Sequence, residues 1–198
     1  MTKPPACSAC PLVKQSTGFC GDHVPSSDHG LVMPTRAKLA IVLRMPSKAD
    51  LVREEAMSGP AAYHFWKDFI WARGWQKEDV LIANVIRCYP NTGEYPIGKL
   101  RVQATAKCAE LWDASLTTFA PNVWGISISP TMLYATPNQA KFLHRAFDRA
   151  RDYIRAGKRP CLLLGPEAMG KFAPWLQGSM KQWQGHWWEE EEKRDAVA

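Results

Sequence analysis

Four short apolar runs mark the chain, at residues 38–44, 79–86, 123–128 and 161–164, and each is of strand length without a polar alternation. A continuous run of this kind is what a parallel strand buried on both faces looks like. Between them the pattern changes to the helical period. Ser47-Lys-Ala-Asp50 has the form of a capping box, and residues 51–57 follow as one or two helical turns. Gly59-Pro60 starts a second helix whose stripe is Phe65, Trp66, Phe69 and Ile70, and Gly74 closes it. Residues 99–119 predict a long helix with Leu100, Ala104, Cys108, Leu111 and Phe119 inward, stopped by Pro121. Residues 138–156 predict another, with Leu143, Ala146, Phe147, Ala150, Tyr153 and Ile154 inward, arginines 145, 149, 151 and 155 over the rest, and Gly157 as the residue after its C-cap. Gly165-Pro166 opens a last helix through Trp175.

Strand, helix and strand within about fifty residues is a βαβ unit. The predicted fold is therefore α/β: a three-layer α/β/α sandwich around a short, mostly parallel, four-stranded sheet. Residues 1–37 break every periodicity with proline and glycine and read as an irregular segment in need of a staple, and residues 189–198 read as a charged tail. At 198 residues the chain has enough apolar surface for one core, so the whole of 1–198 is expected to be one domain.

Composition changes this picture in three respects. No apolar run approaches eighteen residues and Met1-Thr-Lys-Pro-Pro-Ala6 lacks the apolar stretch of a signal peptide, so no membrane segment and a cytoplasmic location are expected. A net charge of +6 and a pI near 9.1 favour a polyanionic partner such as nucleic acid. Nine tryptophans exceed the usual share, and Trp183, Trp187 and Trp188 beside Lys181 form a C-terminal group able to stack bases or to anchor a protein partner.

The six cysteines carry the candidate chemistry. In a reducing compartment they are metal or cofactor ligands before they are disulfides. Cys7-x-x-Cys10 is compact enough for one metal, and two sets complete it. Cys7, Cys10, Cys20 and His23 make a mixed thiolate and imidazole set suited to zinc, all within the irregular segment. Cys7, Cys10, Cys88 and Cys108 make an all-thiolate set suited to an iron–sulfur cluster, joining that segment to a strand end and a helix. Spacing alone leaves both open. Cys161, inside an apolar strand, reads as a core residue.

The order C-x-x-C-P-L at Cys7, an apolar strand, Ile82-Ala-Asn-Val-Ile-Arg-Cys88-Tyr-Pro90, then a cysteine in the next helix resembles the iron–sulfur uracil-DNA glycosylases of the family 4 and 5 type, in which the second segment looks like Ile-Thr-Asn-Val-Val-Lys-Cys-Arg-Pro-Pro. The helix start at Gly59-Pro60 and the Leu164-Gly165-Pro-Glu-Ala168 segment are similar too, and the likeness runs over residues 7–188. It implies the glycosylase α/β/α sandwich, with Cys7, Cys10, Cys88 and Cys108 as ligands of a structural [4Fe–4S] cluster; carrying −2, the cluster would leave the protein at about +4. The family's catalytic motifs are not matched. Where the family has Gly-Glu-Ala-Pro-Gly, this chain has Leu43-Arg44-Met45-Pro46-Ser47, and an arginine opposes the positive charge that develops on the sugar when a base leaves. Asp50 is the nearest substitute acid, although such a residue normally caps a helix. No His-Pro occurs; Ser129-Pro130 is the nearest echo and His186 the nearest histidine. Asn84, a polar residue inside an apolar strand, either reads a base edge or bonds a neighbouring loop. The resemblance thus implies a DNA-binding relative acting in DNA metabolism with a divergent or absent catalytic set, Arg44, Pro46, Ser47, Ser129 and Pro130 being its candidate nucleic-acid contacts. An active glycosylase on a damaged or modified base, and a zinc-stapled binding module, are the alternatives.

Overall fold

The four apolar runs become the parallel strands β2 (Leu39–Leu43), β3 (Val80–Asn84), β5 (Val123–Ser127) and β6 (Pro160–Leu164) in a computed structural model that describes residues 5–25, 33–127, 137–176 and 179–189. Every residue of these strands is buried, as parallel strands covered on both faces require. Two further strands were legible only as loop, β1 (Ser16–Phe19) and β4 (Cys88–Pro90), which form a separate antiparallel pair with Phe19 opposite Cys88. A third, β7 (Trp187–Glu189), lies antiparallel on β5, so the main sheet has five strands in the order β3-β2-β6-β5-β7.

Helices cover both faces. The alternating residues Ala40, Val42, Leu81, Ala83, Ile126 and Leu163 join Ala104 and Phe119 of α3 (Gly98–Phe119) and Ala168 and Met169 of α5 (Pro166–Phe172) in one core layer. Their neighbours Leu39, Ile41, Leu43, Ile82, Leu162 and Leu164 pack on the other side. There they meet Phe65 and the residues that follow α2 (Pro60–Phe65), and Leu143, Ala146, Phe147 and Ala150 of α4 (Pro137–Arg155). The result is helix, sheet, helix, as the period-two split of each strand dictates.

Local signals decide the helix ends. Ser47 and Asp50 close a reciprocal capping box at the start of α1 (Lys48–Arg53), and Gly157 takes φ 74°, a left-handed value open to glycine, just past α4. The helix expected over residues 60–73 is less regular: after Phe65 it widens to a π turn at Trp66–Ile70 and tightens to a 3₁₀ turn at Trp71–Arg73, keeping Phe65, Trp66, Phe69 and Ile70 all inward. The last helix stops at Phe172 rather than Trp175, and a four-residue α6 (Met180–Trp183) follows. The side chain of Leu111 and the tail beyond Glu189 lie outside the described residues.

The fifth strand depends on one glycine. A Cβ on Gly125 would meet ring atoms of Trp187 at 2.5 Å, so the indole lies flat against bare backbone. Gly125→Ala is expected to push β7 off the sheet and lower stability by about 1–3 kcal/mol, the usual cost of overpacking; urea denaturation followed by tryptophan emission measures it.

Candidate functional site

The N-terminal Cys-x-x-Cys is shaped by a 3₁₀ turn at Pro5–Ala9, in which the Cys10 N–H donates to the Cys7 carbonyl at 2.9 Å. Cys88 opens β4 and Cys108 lies midway along α3. All four are buried, and all four belong to the same core layer. Burial pushes the Cys108 thiol up to about 12, opposed by a hydrogen bond from the Arg87 backbone N–H and reinforced by charge on Cys88 and Cys10, so Cys108 stands in the field of those two sulfurs. A thiol so placed resists ionising alone and gives up its proton to a cation that supplies the missing positive charge. Among the described residues, no group of three or more His, Cys, Asp or Glu side chains is arranged to hold a metal ion. The donor set, four buried thiols and a backbone N–H on one of them, fits the chemistry of a cluster.

The zinc set is not brought together. Cys20 belongs to the opposite core layer, where burial and the nearby Asp50 and Asp22 charges push its thiol up to about 12 and its Sγ–H donates to the Gly21 carbonyl. His23 is bonded through Nε2 to the Lys77 carbonyl at 3.0 Å, with its ring edge on Trp66. Cys161 stands in register with Ala40 and Trp124 in the sheet core, as expected.

Arg87, immediately before Cys88, is the residue that sequence reasoning passed over. Its carbonyl accepts from the Cys20 N–H at 2.9 Å, and its guanidinium grips both oxygens of Asp22, with Nε to Oδ1 at 2.9 Å. Both side chains are buried, 7% and 3% exposed. The Asn84 N–H also donates to Asp22, yet burial wins and the Asp22 carboxyl is pushed up to about 6. The ion pair therefore clamps the N-terminal segment onto the strand end that presents Cys88.

The second region of interest is the carboxyl edge of the parallel strands. Asn84, Leu43, Leu164 and Ser127 form one row across it, since Leu43 pairs with Asn84, Leu164 with Ser127, and Val42 with Leu163 one step earlier. The two ends of the row are polar, buried, and without a hydrogen-bond partner at Asn84 Oδ1 and Ser127 Oγ among the described residues. Unsatisfied buried polar atoms on a sheet edge are where a ligand would be met. Strands β2 and β6 are neighbours here, but the chain leaves β2 toward β3 and leaves β6 toward β7, so their loops diverge at a topological switch point, the place where open α/β sheets meet their ligands.

The remaining candidates fall as follows. Asp50 is not free for chemistry: Oδ2 accepts the Ser47 N–H at 2.7 Å, while Oδ1 accepts the Ser58 N–H at 2.7 Å and its hydroxyl at 3.1 Å. Asp50→Ala should therefore act on stability, costing about 1–3 kcal/mol through lost caps and orphaned donors, with thermal melting as the readout. Arg44 is exposed, Pro46 is buried, and Ser47 caps α1. Ser129 and Pro130 lie outside the described residues. His186 is at the carboxyl edge, where its carbonyl accepts from the Ile126 N–H at 3.0 Å and its exposed ring lies between Trp183 and Trp188. Trp188 is core, stacked with Trp124, and Trp187 covers Gly125 and Tyr153, so the C-terminal tryptophans build the sheet edge instead of offering an open stacking platform. On α4 the arginines face outward, Arg149 over Tyr153 and Arg151 beside Asp148. The chain matches no protein-family model and no curated protein sequence.

Proposed function

We propose that this chain is a nucleic-acid-binding protein on the uracil-DNA-glycosylase plan. In it Cys7, Cys10, Cys88 and Cys108 hold a structural [4Fe–4S] cluster, and the family's excision chemistry has been lost. The observation that carries the reading is that those four thiols, from a 3₁₀ turn, a strand and a helix, are buried in one core layer, with Cys88 and Cys10 near enough for their charge to act on Cys108. Soft thiolates without carboxylate or imidazole select iron–sulfur over harder metals. The cluster's chemistry is to cross-link; the chain's own residues do the rest. Arg87 donates its N–H to Cys108 and pins Asp22, and Asn84 and Ser127 present oxygens along the carboxyl edge that have no hydrogen-bond partner among the described residues. DNA is the partner that the net charge of +6 favours, in the cytoplasm, with no bilayer involved. None of the described helices is long and apolar enough to cross a membrane.

Two features support the loss of excision. Asp50 is tied up in caps, and the position where the family carries an acid has the Arg44 cation, which raises the energy of an oxocarbenium-like sugar. Active excision keeps one observation in its favour, the buried Oδ1 of Asn84 at the end of β3, which has no partner among the described residues.

The test has two arms. Anaerobically purified protein is expected to contain about four irons and matching sulfide per chain; one zinc and no iron would remove the cluster. Single- and double-stranded oligonucleotides carrying uracil or other altered bases should be bound and left without abasic product. Alkali-labile abasic sites formed by wild type and lost in Asn84→Ala would establish the enzyme instead.

A further inference from the structure

The switch point between β2 and β6 is bridged by charge. Arg44 leaves the end of β2 and Glu167 sits in the first turn of α5, just after β6, so their contact crosses the point where the two loops diverge. Arg44 Nη1 lies 3.6 Å from Glu167 Oε1, a single long contact instead of the paired fork that a guanidinium makes with a well-placed carboxylate. The guanidinium is held from the other side by Tyr95, whose ring centre is 5.2 Å away and whose hydroxyl is bonded to Thr105. Arg101 also faces Tyr95. The charges of Arg44, Arg101 and Glu167 thus all act on this one ring. Glu167 cannot swing far, because α5 is anchored at its start by the Gly165 N–H on the Ser127 carbonyl at 3.0 Å.

We propose that Arg44 and Glu167 form an electrostatic latch across this switch point. In the free protein Glu167 occupies the place on Arg44 that a phosphodiester of a bound single strand takes in the complex. The inference rests on the nucleic-acid reading above and assigns the residue that gates it. A carboxylate and a phosphodiester each offer one negative charge over two oxygens, so they compete for one guanidinium. The resident pair is long, with side chains 44% and 20% exposed, the kind of pair that contributes little and exchanges readily. Once displaced, Glu167 stays close enough to repel the phosphate that replaced it.

Removing the carboxylate should therefore tighten binding, and only while Arg44 is present. The measurement is fluorescence anisotropy of a labelled oligothymidylate of about twenty nucleotides, long enough for one binding site, titrated at several salt concentrations against the full chain and its variants. Glu167→Gln is expected to bind about two- to fivefold tighter, the range an exposed ion pair can hold back. Arg44→Gln should bind more weakly, with a salt slope shallower by about one. In the double variant the gain from Glu167→Gln should vanish. Glu94→Gln, an exposed acid with no such partner shown, is the control for bulk charge. A Glu167→Gln gain that survives undiminished with Arg44→Gln, or that Glu94→Gln reproduces, overturns the latch and leaves nucleic-acid binding standing. Failure of wild type and every variant to bind at low salt removes both.

Discussion

Asp22→Ala is expected to cost about 3–5 kcal/mol, because it leaves the Arg87 guanidinium buried and uncompensated. The loss should exceed that of any surface charge deletion in the chain. Deleting Glu55, whose pair with Lys77 is more than a third exposed, should change stability by less than about 1 kcal/mol. Urea denaturation of both variants at neutral pH makes the comparison. Replacing the pair by isosteric apolar residues should be far less harmful than breaking it, since the large term is the orphaned charge.

The same carboxyl predicts a pH dependence of definite sign. Burial lifts Asp22 to about 6 in the folded chain, against about 3.9 when unfolded. Between these values the folded state holds the proton and the unfolded state does not. The contribution of this group to stability is therefore complete below about pH 4, falls as pH rises, and levels off above about pH 6. Subtracting the profile of Asp22→Asn from that of wild type isolates it from the other titrating groups.

The second large effect concerns the thiols. Cys88→Ala is expected to abolish iron binding and to loosen the N-terminal segment, with a stability loss of several kcal/mol, because site formation and folding are one process when the ligands come from distant segments. Cys161→Ala removes a sulfur of similar burial from the same core layer. It should keep its full iron complement and lose only about 1–2 kcal/mol of packing. Cys20→Ala should likewise keep it, Cys20 lying on the other side of the sheet. Loss of metal with Cys20→Ala and retention with Cys88→Ala would reverse the ligand assignment. Metal analysis and melting of the three variants decide.

Much of the fold was legible because its signals are local. Residues 38–44 or 161–164 bury both faces, so they carry an apolar residue at nearly every position whatever their neighbours are, and their four strands followed from that. Ser47 with Asp50, and Gly157 after α4, fixed helix ends within a few residues of themselves. The candidate site divides in the same way. Spacing alone left two ligand sets open, and it was the resemblance carried by the Ile82 to Pro90 segment that singled out Cys7, Cys10, Cys88 and Cys108; the partners around them could not be read.

What the sequence by itself determined is the α/β alternation, the four parallel strands, and the residue types able to hold a cluster, each written in periodicity or in a short run of neighbours. Tertiary structure alone decided the rest. The β1 and β4 ribbon, the β7 edge over Gly125, and the Arg44 and Glu167 bridge require two backbones or two charges to meet that are remote along the chain. The Asp22 and Arg87 clamp joins residues 65 apart. Such pairings leave no periodic trace, because whether an edge is paired or a charge is buried depends on which surface arrives opposite it, and that is settled only when the layers close.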